Sequence, residues 1–166
     1  MGPVIISLGA NLGDRRRQLD LACRRLQESG FRVRRRSSLY LTRPWGGAPG
    51  PHYLNALVEA TSSAASPLAT LERCRAVEAG FGRDRRLPYH PRRLDVDLIA
   101  IGDLKLDHPR LKLPHPHWGR RDFVIMALIE LGLPPPAVPE GRPPRQPLLR
   151  LLAEAPGCIA GKMPWT

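Results

Sequence analysis

Cysteine is scarce in this chain: Cys23, Cys74 and Cys158 are the only three in 166 residues, too few and too far apart for a disulfide framework or a cysteine-based zinc site. A reduced, cytoplasmic setting is the expectation. No apolar run approaches the ~18 residues that a membrane span needs, and the start Met-Gly-Pro-Val-Ile-Ile has neither the charged region nor the cleavage site of a signal peptide. An unprocessed protein with no membrane partner is therefore expected. Lysine is nearly missing, since Lys105, Lys112 and Lys162 are the only lysines among 26 Lys and Arg. Set against 15 Asp and Glu, the arginines leave a net charge of +11, which suits an anionic partner but equally a solvated basic face. Internal repeats are absent, and 166 residues is one domain's worth, so a single domain over 1–166 with one core is expected.

Several familiar nucleotide and metal motifs are also lacking. Gly157-Cys158-Ile159-Ala160-Gly161-Lys162 is one residue short of a Walker A loop and is followed by Met163, Gly9-Ala10-Asn11-Leu12-Gly13 does not make a GxGxxG pattern, and no HExxH is found. A nucleotide, if bound, is held outside the standard nucleotide folds.

What is present reads as alternating strands and helices. Val4 to Leu8 is an apolar, β-branched run followed by turn residues at 9–14. From Asp14, Leu19, Ala22, Cys23 and Leu26 recur at helical spacing until Gly30. Phe31 to Thr42 reads as one long strand ended by Pro44, residues 43–52 as a loop, and Tyr53 to Thr61 as its antiparallel neighbour. Ser66-Pro67 supplies a cap and a first-turn proline for a helix whose Leu68, Leu71, Cys74 and Val77 face inward and which stops near Gly80. A charged, proline-containing loop at 82–92 leads to a strand from Leu94 to Ile101. This βαββαβ order predicts an α+β, ferredoxin-like fold: a mainly antiparallel sheet with both helices on one face. Phe123 to Leu131 is expected to be a third helix, 133–147 proline-rich coil, and Leu148 to Leu152 a last helical turn.

The sharpest chemical signal is Arg92-Arg93-Leu94-Asp95-Val96-Asp97. Strand period two sends Asp95 and Asp97 to one face and Leu94, Val96 and Leu98 to the other. Two adjacent carboxylates are either part of an exposed polar sheet face or a hard-oxygen site of the kind that takes Mg²⁺ together with phosphate oxygens. The preceding loop carries Arg83, Arg85, Arg86 and Arg92, guanidiniums suited to phosphate, which tips the pair towards phosphoryl chemistry. His115 and His117 by themselves read as loop residues, and Cys23 and Cys74 as packing.

In combination, Leu8-Gly9-Ala10-Asn11-Leu12-Gly13-Asp14, Tyr40-Leu41-Thr42-Arg43-Pro44, Tyr53-Leu54-Asn55-Ala56, His90-Pro91-Arg92-Arg93-Leu94-Asp95-Val96-Asp97-Leu98-Ile99, and Leu113-Pro114-His115 with Arg121-Asp122-Phe123 resemble the 6-hydroxymethyl-7,8-dihydropterin pyrophosphokinases. The resemblance covers roughly residues 4–130, in the family's order. It implies transfer of a pyrophosphoryl group from ATP to the hydroxymethyl oxygen of the dihydropterin, with release of AMP, in folate biosynthesis, and it implies two Mg²⁺ ions. Carried over residue by residue, Asp95 and Asp97 match metal ligands. Arg92, His115 and Arg121 match residues on the ATP phosphates, with the loop residues Arg83, Arg85, Arg86 and Tyr89 assigned to catalysis and ATP as a group. Thr42, Pro44, Tyr53, Asn55 and Phe123 match the pterin pocket, with Trp45 beside them. Two departures stand out: Tyr89 where many members have tryptophan, and Pro116 after His115 where an aromatic is frequent.

The rival class is an RNA-recognition domain, since a basic ferredoxin-like chain could be one. Such a domain needs aromatics on its central strands, and Val4-Ile5-Ile6-Ser7-Leu8 has none, nor is the Lys/Arg-Gly-Phe type of motif present. The expected partners are thus two small molecules, ATP and the pterin, with no nucleic acid and a monomeric chain.

Overall fold

The computed structural model describes residues 2–44, 49–82, 93–136, 148, 152–153, 155 and 157–165. Its centre is strand β1 (Val4–Ala10), whose every residue is buried. It pairs antiparallel with β4 (Tyr53–Ser62) on one side and with β5 (Asp95–Ile101) on the other. Beyond β4 lie β2 (Phe31–Arg36) and β3 (Leu39–Thr42), both antiparallel to it, so the four sequential strand regions take the ferredoxin-like arrangement that the βαββαβ order predicts.

Helix α1 (Arg15–Glu28) starts where Asp14 accepts a hydrogen bond from the Arg17 N–H at 3.1 Å, and it buries Leu19, Ala22, Cys23 and Leu26, the stripe read from spacing. Helix α2 (Pro67–Ala79) is capped by Ser66, whose hydroxyl accepts from the Ala69 N–H at 3.1 Å. Its inward face differs from expectation: Cys74 and Val77 are buried as read, but Leu68 and Leu71 are only partly so, and Thr70 and Glu78 are buried instead. The buried carboxylate is tolerated because it accepts the Val96 N–H at 3.1 Å.

Both helices cover one face of the sheet, packing on Val4, Ile6, Leu8, Val58, Val96 and Leu98. Helix α3 (Asp122–Glu130) covers part of the other, against Ile5, Tyr40, Leu57, Ile99 and Ala100. A sheet sandwiched in this way explains why β1 is apolar without a break over its first three residues.

The long strand expected over Phe31 to Thr42 is in fact two. At Ser37 the backbone N–H donates to the Leu57 carbonyl at 2.9 Å, while the Leu57 N–H donates to the Ser37 hydroxyl at 2.9 Å instead of to a carbonyl. A side chain standing in for the backbone breaks the ladder and separates β2 from β3. Three further strands were not legible beforehand. A hairpin joins β6 (Leu106–His108) to β7 (Leu111–Leu113), and β8 (Ile159–Met163) adds antiparallel to β3. The glycine-containing stretch that falls short of a Walker A loop therefore runs into a sheet edge. Residues 133–136 are coil, and Leu148 and Leu152 are helical; residues 137–147 and 149–151 of the proposed extension lie outside the described residues. No helix among the described residues is long and apolar enough to cross a membrane.

Candidate active site

The carboxyl end of β1, the amino ends of β4 and β5 and the carboxyl end of β3 meet at one edge of the α3 face. Cross-strand register puts Asp95, Gly9, Asn55 and Tyr40 in one row, because Gly9 lies opposite both Asp95 and Asn55, and Asn55 lies opposite Tyr40. The neighbouring row holds Asp97, Ser7 and Leu57, and Thr42 lies opposite Tyr53. Residues directly opposite in an antiparallel pair share a face, so period two and register together place both carboxylates, Asn55, Thr42 and Tyr53 on one surface.

Asn55 is buried and donates from Nδ2 to the Thr42 hydroxyl at 2.7 Å. That bond fixes which way the amide points and turns its Oδ1 over Gly9, where a Cβ would sit 2.5 Å from it. Gly9 has the sequence context of a turn; it is instead a strand residue whose missing side chain lets the amide come close. A glycine within a strand pattern is the sequence signal for such a close approach.

On the other side of Gly9, Asp97 accepts a hydrogen bond from the Arg121 guanidinium, Nη1 to Oδ2 at 2.6 Å, with both side chains about three-quarters covered. Arg121 immediately precedes α3, so the start of this helix is tied to the strand carrying the acids. His115 is placed by its own N–H, which donates to the Ile99 carbonyl at 2.8 Å. Burial pushes its pKa down to about 4; Arg121 and His117 push the same way, and Asp97 opposes them. Its Nδ1 accepts the His117 N–H at 3.2 Å, so the neutral ring carries its proton on Nε2. Phe123, in the first turn of α3, is nearly buried in the cluster with Tyr40 and Leu57.

Asp95, Asp97, His115, Arg121, Thr42, Asn55, Tyr53 and Phe123 are thus brought to one end of one sheet face and its covering helix, with the half-buried Pro44 two residues past Thr42. Trp45, Arg83, Arg85, Arg86, Tyr89 and Arg92 lie outside the described residues. Beyond Gly9, sequence reading gave no role to Ser7, buried opposite Asp97, or to Asp122, buried between Arg121 and Phe123. Two clefts of roughly 680 and 730 Å³ lie around α1 and are lined by its arginines; neither is lined by the sheet-end residues.

Among the described residues no three His, Cys, Asp or Glu side chains gather closely enough to hold a metal by themselves. The Asp95 and Asp97 pair nonetheless fits Mg²⁺, which typically takes one or two carboxylates and completes its shell with water and substrate phosphate.

Residues 5–133 match the family described as 7,8-dihydro-6-hydroxymethylpterin-pyrophosphokinase. The 2-amino-4-hydroxy-6-hydroxymethyldihydropteridine pyrophosphokinase of Pseudomonas aeruginosa is 39% identical over 84% of this chain and 85% of its own length. The enzyme of the same name from Methylorubrum extorquens is 36% identical over 88% of this chain and 91% of its own. In fold, the chain resembles the HPPK-DHPS of Plasmodium falciparum, with a TM-score of 0.66 at 13% identity over 93% of this chain and 43% of that one. The chain therefore belongs to the 7,8-dihydro-6-hydroxymethylpterin-pyrophosphokinase family, and its activity is ATP-dependent transfer of pyrophosphate to hydroxymethyldihydropterin in folate biosynthesis.

Proposed function

We propose that this transfer takes place across Gly9, with the pterin on the Asn55 side and the ATP phosphates on the side of Asp95 and Asp97. The observation that carries this reading is the register in which Gly9 separates Asn55 from Asp95, while Arg121 reaches Asp97 at 2.6 Å.

A pterin is a flat heterocycle with an amide-like edge. Asn55 presents a donor and an acceptor to such an edge, oriented by Thr42, and the aromatic rings of Phe123 and Tyr53 offer apolar platforms, with Pro44 and Trp45 at the rim. Asp95 and Asp97 would hold Mg²⁺, two ions being expected, which when bound neutralises phosphate charge and orients the triphosphate. The hydroxymethyl oxygen attacks the β-phosphorus of ATP and gives up its proton to water, the bond from that phosphorus to the bridging oxygen of the α-phosphate breaks, and AMP leaves with that oxygen and the electron pair. Negative charge is spread over the transferring group and the leaving AMP, so positioned cations do most of the stabilising. Arg121 pairs with Asp97, which offsets the repulsion between the two acids and keeps the guanidinium ready for a phosphate oxygen. His115, neutral because it is buried, offers the Nε2 proton as a hydrogen bond without adding charge. Arg92, with Arg83, Arg85, Arg86 and Tyr89 as a group, would complete the phosphate contacts from the loop.

The working unit is taken to be a single domain over 1–166, monomeric, cytoplasmic and without nucleic acid. The test is AMP release that requires both ATP and 6-hydroxymethyl-7,8-dihydropterin, run on the parent chain and on Asp95→Ala, Asp97→Ala and Asn55→Ala. If either aspartate variant kept near-parental Mg²⁺-dependent turnover, the metal assignment would be wrong. Light scattering on the same preparation reads the oligomeric state.

A further inference from the structure

Strand β8 contributes little to the core, because none of its side chains is fully buried. Its amino end nevertheless reaches the active site. Ile159 lies opposite Thr42 in the β3 ladder, and the Arg43 N–H donates to the Cys158 carbonyl at 2.9 Å. The Ile159 N–H donates to Oδ2 of Asp122 at 2.9 Å, and the other oxygen of Asp122 accepts the N–H of Phe123 at 2.8 Å. Asp122 is 3% exposed. A carboxylate so deeply covered is costly unless both oxygens find donors, and here both donors are backbone groups whose positions matter to the site.

We propose that Asp122 is a positioning residue for this reaction: through β8 it sets the start of α3 against the pterin-binding strand, and so aims Arg121 and Phe123. The inference rests on the reading above that Arg121 serves ATP and Phe123 the pterin. Asp122 stands between them in sequence, so one side chain governs the approach of both. On the pterin side the links run from Asp122 to Ile159, from Ile159 across the ladder to Thr42, and from Thr42 to Asn55. On the phosphate side they run along the backbone to Arg121 and from it to Asp97. The Arg121 side chain makes no capping bond to α3 and reaches Asp97 instead, so Asp122, in the acidic first turn, is the residue that ties this helix end to β8. Both Asp122 oxygens accept from backbone N–H groups, so the carboxylate is not itself offered to the reacting atoms or the substrates. Its effect reaches them through the geometry of its two neighbours.

The experiment compares Asp122→Ala, Asp122→Asn and Ile159→Pro with the parent. Each is measured for KM and kcat with both substrates, for equilibrium binding of the pterin and for urea unfolding. Proline at 159 removes the N–H that Asp122 accepts and leaves the carboxylate in place; because it also replaces a partly buried side chain and fixes φ, Ile159→Ala is measured beside it and should leave KM unchanged. Lys162→Ala, on the exposed part of the same strand, serves as the control. The expected result is a loss of about ten- to hundredfold in kcat/KM for Asp122→Ala, the usual consequence of stranding buried partners of a charged group. It should appear as a raised KM for both substrates at an unchanged fraction of folded protein. Asparagine should recover part of the loss, and Ile159→Pro should reproduce part. The double variant Asp122→Ala/Ile159→Pro should lose less than the two singles combined, as expected for one shared interaction. A fall in kcat that merely follows the folded fraction, with KM unchanged, would overturn the inference and leave Asp122 as a fold residue. Where Asp122→Ala does not fold, Ile159→Pro decides by the same criterion. Arg121→Ala and Phe123→Ala are measured alongside. If these two leave both affinities intact, the underlying site reading fails; if they weaken binding while the Asp122 variants and Ile159→Pro do not, only the positioning inference fails.

Discussion

Substituting Gly9 by alanine separates the site from the fold with a single methyl group. The backbone of Gly9 is not in the left-handed region, so alanine adds no dihedral strain at that position. Its Cβ would instead meet Oδ1 of Asn55 at 2.5 Å, about 0.9 Å inside the 3.4 Å at which ordinary contact begins; the Tyr53 ring, at 3.8 Å, is already far enough away. Asn55 must therefore move. A shift of that size, away from β1, spoils the geometry of its 2.7 Å bond to Thr42 on β3, and both partners are buried. Losing one such bond costs about 1–3 kcal/mol of stability, a fraction of the total for a domain of this size. The pterin loses more, because the amide that should read its edge is displaced and the floor beneath is raised. An affinity fall of about ten- to hundredfold is expected for the pterin, against little change for ATP. Calorimetric titration with each substrate, together with urea unfolding, measures all three quantities. Pterin affinity within twofold of the parent, in a protein that has lost stability, would show that Asn55 does not face the pterin across Gly9 and would refute the reasoning.

Asp95→Ala and Asp97→Ala should lower turnover by several orders of magnitude while the protein stays folded, the Asp97 variant alone also giving up the bond to Arg121 and with it some stability; a lowered unfolding midpoint with turnover retained would contradict this. Glu130→Ala removes the acceptor of the Ser38 N–H, the Ser38 hydroxyl and the Tyr40 hydroxyl, and should cost about 2–4 kcal/mol in urea unfolding, because Tyr40 is wholly buried. His115 should titrate near 4 by NMR in the ligand-free protein rather than near 6.5. Since its folded pKa is lowered, the unfolded chain takes up the proton first, and the stability due to neutral His115 is complete above about 6.5 and lost as pH falls towards 4. His115→Asn should flatten that part of the stability profile.

Much of this architecture could be read from side-chain spacing. The α1 stripe, the Ser66 cap and the shared face of Asp95 and Asp97 follow from periods and capping chemistry, and the structure has them where the spacing puts them. The identity of the pterin and phosphate residues came from the resemblance, because no period distinguishes an asparagine that reads a ligand from one that ends a turn. What escaped was held by backbone. β8 pairs through its main chain with hardly any apolar signature, the gap between β2 and β3 depends on a serine hydroxyl imitating a carbonyl, and Gly9 looks like a turn until its neighbours across two strands are known. Contacts between residues such as Asp122 and Ile159 are 37 positions apart and exist only once the sheet has closed.

The α3 face of the sheet shows how one surface serves as both core and site. Along β1 the residues on this face run Ile5, Ser7, Gly9; along β5, in the reverse direction, Ile99, Asp97, Asp95; along β4, Leu57, Asn55, Tyr53. At one end three aliphatic side chains meet under α3 and are buried with Val124 and Leu128. Two residues further on, every strand has changed to a small or polar residue, and the part of α3 that comes to them is its first turn. The apolar end can be desolvated permanently by the helix, whereas carboxylates and an amide gain by keeping access to a ligand that brings its own charges and hydrogen bonds. Because the change from one regime to the other takes a single pleat, it also divides the effects of mutation: truncating Ile5, Leu57 or Ile99 should cost about 2–5 kcal/mol of stability, while Ser7, Asn55 and Asp97 should report on substrate. The β-bulge that shifts register between Ile5 and Ile6 falls at the apolar end, on the side away from the acids. Past it, the pairing of Ser7 with Asp97 and of Gly9 with Asp95 is regular, so the carboxylates are held at fixed places on the pleat.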